Sequence, residues 1–373
     1  MLKRAYNLSN LVKAGRVLVI YGARRVGKTT ILKDYLAKIS IKYRLDSGDN
    51  IILREMLSSE DFGQIKAYAD AYDLIAIDEA QQIPGIGQAL KIMVDNFSDL
   101  KIIVTGSASF NLSQNLGEPL TGRKQTITLF PLSQQELSNY HSRYDLRERL
   151  PQFLIYGSYP EVVLADNDRE RSLYLRELSE SYLLKDVLAL DNIRFSKKLI
   201  DLLKALAFQI GNLVSLNELS RQVGLEVKTV ERYLDLLEKG FVIKRLGGFS
   251  RNLRNEINSK AKYFFWDNGI RNALISQFND LDNRDDIGAL WENFLVTEFL
   301  KKNSYGGSLA NYYFWRNYAG KEIDLIVENN GELAAYECKW SKGKASLPND
   351  FANAYPKSSF TILNKDNYLD FIL

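Results

Sequence analysis

Two short stretches hold residues of the right type and spacing to handle a polyphosphate. In Gly22-Ala23-Arg24-Arg25-Val26-Gly27-Lys28-Thr29 every fixed position of G-x-x-x-x-G-K-[ST] is filled. Glycines let a backbone curl so that successive N–H groups point inward at an anion. Lys28 would reach the β- and γ-phosphates, and the Thr29 hydroxyl would bind magnesium. Further on, Asp78-Glu79 closes an apolar run, 74–77. Asp78 can hold the magnesium through water, and Glu79 can orient and deprotonate the attacking water. The chemistry implied is hydrolysis of ATP with Mg2+. The expected binding set is Gly22, Ala23, Arg24, Arg25, Val26, Gly27, Lys28, Thr29 and Thr30, with Thr29 and Asp78 on the metal.

Other residues could assist. Thr105, Gly106, Ser107 and Ser109 follow the apolar run in "LKIIVTGSAS". Their hydroxyls could sense the γ-phosphate or position water, or could simply form a turn. Arg123 in "LTGRKQTITLF" precedes a short strand-like run, 125–129. It could stabilise transition-state charge in cis or across an oligomer interface, with Arg24 and Arg25 as rivals. Lys28, Glu79 and Arg123 form the catalytic set.

A second constellation lies near the C-terminus. Asp324 falls in "GKEIDLIVENN", and Glu337 and Lys339 in "GELAAYECKW". Side chains two apart on a strand share a face, so Glu337 and Lys339 point the same way. Asp324 and Glu337 on neighbouring strands could hold a divalent metal, with Glu292 as a further ligand from the preceding helix. Lys339 could stabilise charge or position the nucleophile. A merely charged strand face is the alternative.

These groups need elements to carry them. "RVLVIYG" has the continuous apolar character of a strand buried on both faces, and "TTILKDYLAKI" has helical spacing. "YDLIAID" and "LKIIV" read as further buried strands. From Pro131 the pattern turns helical, broken by "YGSYPE" at 156–161. The long helical run that follows carries a Lys185-Asp186 pair, which could face the nucleotide, a neighbouring subunit or solvent. "SLNELSRQVGLEVKTVERYLDLLEKGFVIKRL" reads as helix, turn at Gly224, second helix from Thr229, with Leu219, Val223, Leu225, Val230, Leu234 and Leu237 as its core. Paired strands "FVIKRL" and "KYFFWD" follow, which makes the unit a winged helix-turn-helix. The stretch between them carries Arg251, Arg254, Lys260 and Lys262, which could meet a phosphate backbone. The acidic second helix speaks against base reading.

Taken together, "GARRVGKTT", "LIAIDEAQ", "VTGSAS" and "LTGR…LFPLSQQEL" resemble a family of predicted AAA-type ATPases in which the ATPase module precedes a winged helix and a nuclease-like domain. The resemblance implies a three-layer α/β fold and ATP hydrolysis at Lys28, Thr29, Asp78 and Glu79, and it places Arg123 at the family's G-R position. The E…D…E-x-K arrangement resembles the PD-(D/E)xK nuclease core. The expected architecture is a multidomain α/β chain. It comprises a P-loop NTPase with a parallel sheet (1–130), a helical lid (131–205), a winged helix (206–275) and a restriction-endonuclease-like α/β domain (284–373). Double-stranded DNA and a homo-oligomer are candidate partners beside ATP.

Composition narrows the field. A single cysteine, Cys338, forbids an intrachain disulfide, and a single histidine, His141, cannot build a zinc cluster with it. Any metal is expected on oxygen ligands. The net charge of +3 over 373 residues is too mild to argue for nucleic acid alone. No apolar run approaches the ~20 residues that cross a bilayer, so no membrane partner and a cytoplasmic location are expected.

Overall fold

β1 (Arg16–Gly22) is buried at every position after Arg16, as befits a strand covered on both faces. In the computed structural model, which describes residues 2–107, 120–182, 196–250, 261–341 and 343–373, it lies inside a parallel sheet. Its companions are β2 (Tyr43–Ser47), β3 (Leu74–Asp78), β4 (Lys101–Gly106) and β5 (Lys124–Leu129). Among the described residues the order is β2-β3-β4-β1-β5, and each neighbouring pair is parallel. The period of two splits the side chains between two cores. Leu18, Ile20, Leu74, Ala76 and Ile103 join one. Val17, Val19, Ile75, Ile77, Ile102 and Val104 join the other. After α1 (Leu8–Leu11), α2 (Lys28–Leu36) covers the first face, while α3 (Ile51–Ser58), α4 (Phe62–Ala69) and α5 (Ile86–Asn96) cover the second. This is the three-layer α/β arrangement expected of a P-loop domain.

The middle of the chain is helical: α6 (Gln134–Leu137), α7 (Arg143–Glu148), α8 (Leu150–Tyr156), α9 (Pro160–Leu164) and α10 (Asp168–Glu177). A π-type turn, Leu178–Tyr182, follows. Lys185, Asp186 and Ser109 lie outside the described residues. The "YGSYPE" interruption has a structural reason. Gly157 has φ +71° and ψ −156°, and a Cβ there would lie 1.9 Å from Asp267 Oδ1. The Ser158 N–H donates to Asp267 Oδ2 at 2.7 Å.

Next come α11 (Ser196–Phe208), β6 (Leu213–Val214), α12 (Leu216–Val223), α13 (Val227–Lys239), β7 (Ile243–Gly248), β8 (Ala261–Phe265) and α14 (Asn268–Leu274). Ser215 caps α12 at its start, and Gly224 with φ +63° ends it. Leu219, Val223, Val230, Leu234 and Leu237 are buried between these helices, with Leu225 half-buried beside them. β8 pairs antiparallel with both β6 and β7. Arg251, Arg254 and Lys260 lie outside the described residues.

The C-terminal unit holds α15 (Ile287–Gly306), β9 (Asn311–Arg316), β10 (Glu322–Asn329), β11 (Glu332–Cys338), α16 (Asn349–Ala354), β12 (Ser359–Leu363) and α17 (Leu369–Ile372). Its sheet does not stop at the unit's edge. The order is β12-β11-β10-β9-β7-β8-β6, because β7 pairs parallel with β9 through Gly247–Tyr313 and Gly248–Phe314. The boundary drawn between 206–275 and 284–373 therefore crosses one sheet. The two glycines look like a strand terminator in sequence, yet they make the joining contacts. Among the described residues no helix is long and apolar enough to cross a membrane.

Candidate nucleotide site and a second acid cluster

The phosphate loop starts where β1 meets β5. Gly22 has φ +151°, and a Cβ on it would sit 2.2 Å from the Leu129 carbonyl oxygen, so only glycine fits. Gly27, at φ +96°, is the N-cap of α2, which begins at Lys28. The positive helix end therefore faces the space enclosed by the loop. Lys28 is only 5% exposed, and its ammonium donates to the Gly22 and Ala23 carbonyls at 3.0 and 2.8 Å. The cation is thus held across the loop.

The acids come from β3. Thr29 Oγ1 donates to Asp78 Oδ2 at 2.7 Å. β4 lies between β1 and β3, and its Thr105 serves both acids. The Thr105 hydroxyl donates to Asp78 Oδ1 and accepts the Glu79 N–H at 3.1 Å. The hydroxyl thus links the end of β4 to the end of β3, where the sequence left sensing, positioning and turn formation open. Gln81 Nε2 donates to Glu79 Oε2 and to Ser107 Oγ, the latter at 3.0 Å. Glu79 itself has φ +51°, a left-handed conformation uncommon outside glycine. The end of β2 closes on it: a Cβ on Gly48 would meet the Glu79 carbonyl oxygen at 2.3 Å.

A cavity of about 410 Å³ opens at these strand ends, lined among others by Arg24, Arg25, Lys28, Thr29, Glu79 and Glu161. Gly27 and Thr30 also line it. Arg25 lies 3.8 Å from Glu161 of α9. Asp49 and Gln82 line it too, neither named as a candidate from sequence, and Glu161 closes the 156–161 interruption, to which sequence reading assigned no role. Val26 is fully buried and lines a smaller neighbouring cavity. A hydroxyl and a carboxylate meeting at 2.7 Å offer the hard oxygen donors that Mg2+ prefers.

Arg123 is not brought to this site. β5 runs parallel to β1 with Leu129 opposite Gly22, so Arg123 lies at the far end of the sheet. At about 3.3 Å per residue that is roughly 20 Å away. Its guanidinium is paired with Asp95 of α5 at 2.6 Å. A role in cis, one of the two expected, does not fit this placement. Arg24 and Arg25 are the arginines at the cavity.

The second constellation does assemble, with an addition. Lys339 Nζ lies 2.8 Å from Glu337 Oε1, as their shared strand face requires. Asp324 sits on the neighbouring strand and accepts the Cys338 N–H at 2.7 Å. Glu292 reaches in from α15. Between the acids, however, stands Lys262 of β8. It is 1% exposed, 2.8 Å from Glu292 Oε1 and in contact with Glu322. Burial pushes the Lys262 ammonium down, but Glu292, Glu322 and Asp324 outweigh it and hold it up. Burial, with Asp324 nearby, raises the Glu292 carboxyl to about 8. Burial and Glu337 raise Asp324 to about 6. Among the described residues no group of three or more His, Cys, Asp or Glu is placed to hold a metal ion. An internal ammonium thus engages Glu292, the further ligand expected from the helix, while among the described residues Asp324 and Glu337 are not its ion-pair partners. Lys262 was expected with the wing residues that could meet a phosphate backbone; it is instead buried against Glu292 and Glu322 and does not face solvent.

Comparison with known proteins matches three stretches of the chain. Residues 14–138 match the AAA domain. Residues 147–281 match a domain of unknown function (DUF8612), and residues 287–370 another (DUF4143). An uncharacterized protein of Haemophilus influenzae is 28% identical over 343 residues, 85% of this chain and 80% of its own. One of Mycobacterium tuberculosis is 25% identical over 343 residues, 90% and 73% respectively. A solved Walker-type ATPase of Pyrococcus abyssi is 16% identical with a TM-score of 0.47, over 69% of this chain and 91% of that one. The AAA match and the loop geometry support an ATP-binding ATPase.

Proposed function

We propose that the chain hydrolyses ATP with Mg2+ at the 410 Å³ cavity lined by residues of the 24–30 segment, Asp49, Glu79 and Glu161. The observation that carries this is the 2.7 Å bond from Thr29 to Asp78, beside a lysine held across a loop of glycines. Lys28 would exchange its two carbonyl partners for phosphate oxygens. Thr29 and Asp78 would hold the ion, which neutralises charge on the β- and γ-phosphates. Glu79, fixed at its N–H by Thr105 and at its carboxylate by Gln81, would accept the proton from water as its oxygen attacks the γ-phosphorus and ADP leaves. A second cavity of about 190 Å³ shares Arg25, Gly27, Thr30 and Glu161 with the first and adds Leu2, Leu132 and Leu164. Its apolar lining suits the nucleobase. A calorimetric titration with Mg-ATP tests the reading: the parent binds and Lys28→Ala does not. Equal affinity of the two would overturn it.

We read 206–275 as a winged helix, on the strength of its helix–strand–helix–helix–strand–strand order, and 284–373 as restriction-endonuclease-like. Because Lys262 fills the acid cluster, the reading we favour for that unit is docking rather than cleavage. Double-stranded DNA and a second copy of the chain are its candidate partners, in a cytoplasmic setting. Nicking of plasmid by the parent with Mg2+ or Mn2+, lost in Asp324→Ala, would restore the nuclease reading.

A further inference from the structure

We infer that Arg4 is a positioning residue for the phosphate loop, and that it ties the loop to the C-terminal unit; the ATP consequence rests on the reading above. Arg4 lies before every motif and is 9% exposed. Each of its three nitrogens donates to a protein group. Nη1 donates to the Val26 carbonyl inside the loop. Nη2 donates to the Phe130 carbonyl at 2.7 Å, just past β5. Nε donates to Glu136 Oε1 at 2.8 Å. Nη2 also approaches Glu136 Oε2 at 3.4 Å and the Tyr305 hydroxyl at 3.3 Å.

Each contact has a consequence. In a trans peptide the C=O and the following N–H point opposite ways. Holding the Val26 oxygen toward Arg4 turns the Gly27 N–H the other way, and Gly27 lines the 410 Å³ cavity. The guanidinium thus presets one of the amides that would grip phosphate. A planar fork is suited to this because it can serve two carbonyls and a carboxylate at once. Glu136 is fixed in turn: it completes a capping box with Ser133 and accepts the Ala5 N–H at 2.9 Å. Tyr305 belongs to α15, donates to Glu136 Oε2 at 3.3 Å, and meets Tyr6 edge to face at 5.1 Å. The same helix bears Glu292. The backbone of the loop is therefore one guanidinium away from the helix that carries the acid cluster.

The test uses the full chain without nucleotide, and then with two probes. In Arg4→Gln, hydrogen exchange in peptides covering 22–30 rises about ten-fold, while a peptide over β7 keeps its parental rate. Affinity for ATP and for inorganic tripolyphosphate falls by a similar factor, which separates the loop from the nucleobase cavity. Arg4→Lys keeps the charge against Glu136 but cannot span both carbonyls; it folds and shows the same local change. Parental exchange across 22–30 in folded Arg4→Lys overturns the inference. Faster loop exchange in a chain whose parent binds no ATP leaves the inference standing and removes the ATPase reading instead.

Discussion

Lys262 and Glu292, 2.8 Å apart, join β8 to α15 inside a cluster of acids. The contact places a lysine from one module where the other module's acids could have held an ion. Lys262 also touches Glu322, so one ammonium serves two acidic side chains. A buried pair of this kind contributes little net stability, yet removing one partner strands the other. Lys262→Met should therefore lower unfolding free energy by about 3–5 kcal/mol. Urea denaturation checks this, and a loss below about 1 kcal/mol would show that the ammonium does not neutralise the cluster.

The pH dependence follows from Glu292, whose carboxyl is raised to about 8 by burial and by Asp324. Between its ordinary range near 4.5 and about 8, the folded chain binds a proton that the unfolded chain has released. Its stabilising contribution is present below that window and is lost as pH rises through it. One such group gives a slope of at most about 1.4 kcal/mol per pH unit. Glu292→Gln mimics the protonated form, so it should flatten the decline and gain most, relative to the parent, at pH 8. Thermal melts at pH 5 and pH 8 decide it: parallel curves would remove Glu292 as the source.

At the nucleotide site, Glu79 is expected to act on water and not on binding. Glu79→Gln should keep Mg-ATP affinity within about three-fold while turnover falls by roughly 10²–10⁴. Thr105→Val removes the hydroxyl that serves both Asp78 and Glu79, so it should lower turnover by a smaller factor, about ten-fold. Single-turnover ATP hydrolysis separates the two. Loss of affinity in Glu79→Gln would mean that the carboxylate is a ligand-binding group.

Why some of this could be read from sequence and some could not follows from range. The loop 22–29 and the pair Asp78-Glu79 are local: strand, turn and helix chemistry fix them within a few residues, so motif spacing sufficed. Thr105 was visible as a strand-end hydroxyl, but its sharing by two acids depends on β4 lying between β1 and β3. Arg123 shows the opposite case. Its strand was anticipated at 125–129, but in a parallel sheet the residue before a strand lies at the far edge from the phosphate loop. Arg4 carries no local signal at all, and Lys262 read only as one of four basic residues of the wing. The role of each comes from partners over a hundred residues away or on another module, Glu136 for one and Glu322 for the other.

The turn at Gly157 gives a test of how α8 and α9 are held beside the cavity. Its φ of +71° with ψ −156° is a region that essentially only glycine occupies. A Cβ would also enter the space of the Asp267 carboxylate, 1.9 Å from Oδ1, and so displace the acceptor of the Ser158 N–H. Backbone strain of about 1–3 kcal/mol is then joined by a stranded buried donor costing about as much again. Gly122 is the control, because it has φ +74° but a Cβ there would meet nothing within 4 Å. Gly157→Ala should lose about 3–5 kcal/mol in denaturant unfolding and Gly122→Ala about 1 kcal/mol. Since α9 carries Glu161 to the cavity, ATP affinity should fall in the first variant and not in the second. Equal losses would reduce the role of Gly157 to backbone conformation and remove Asp267 as the group that seats the turn.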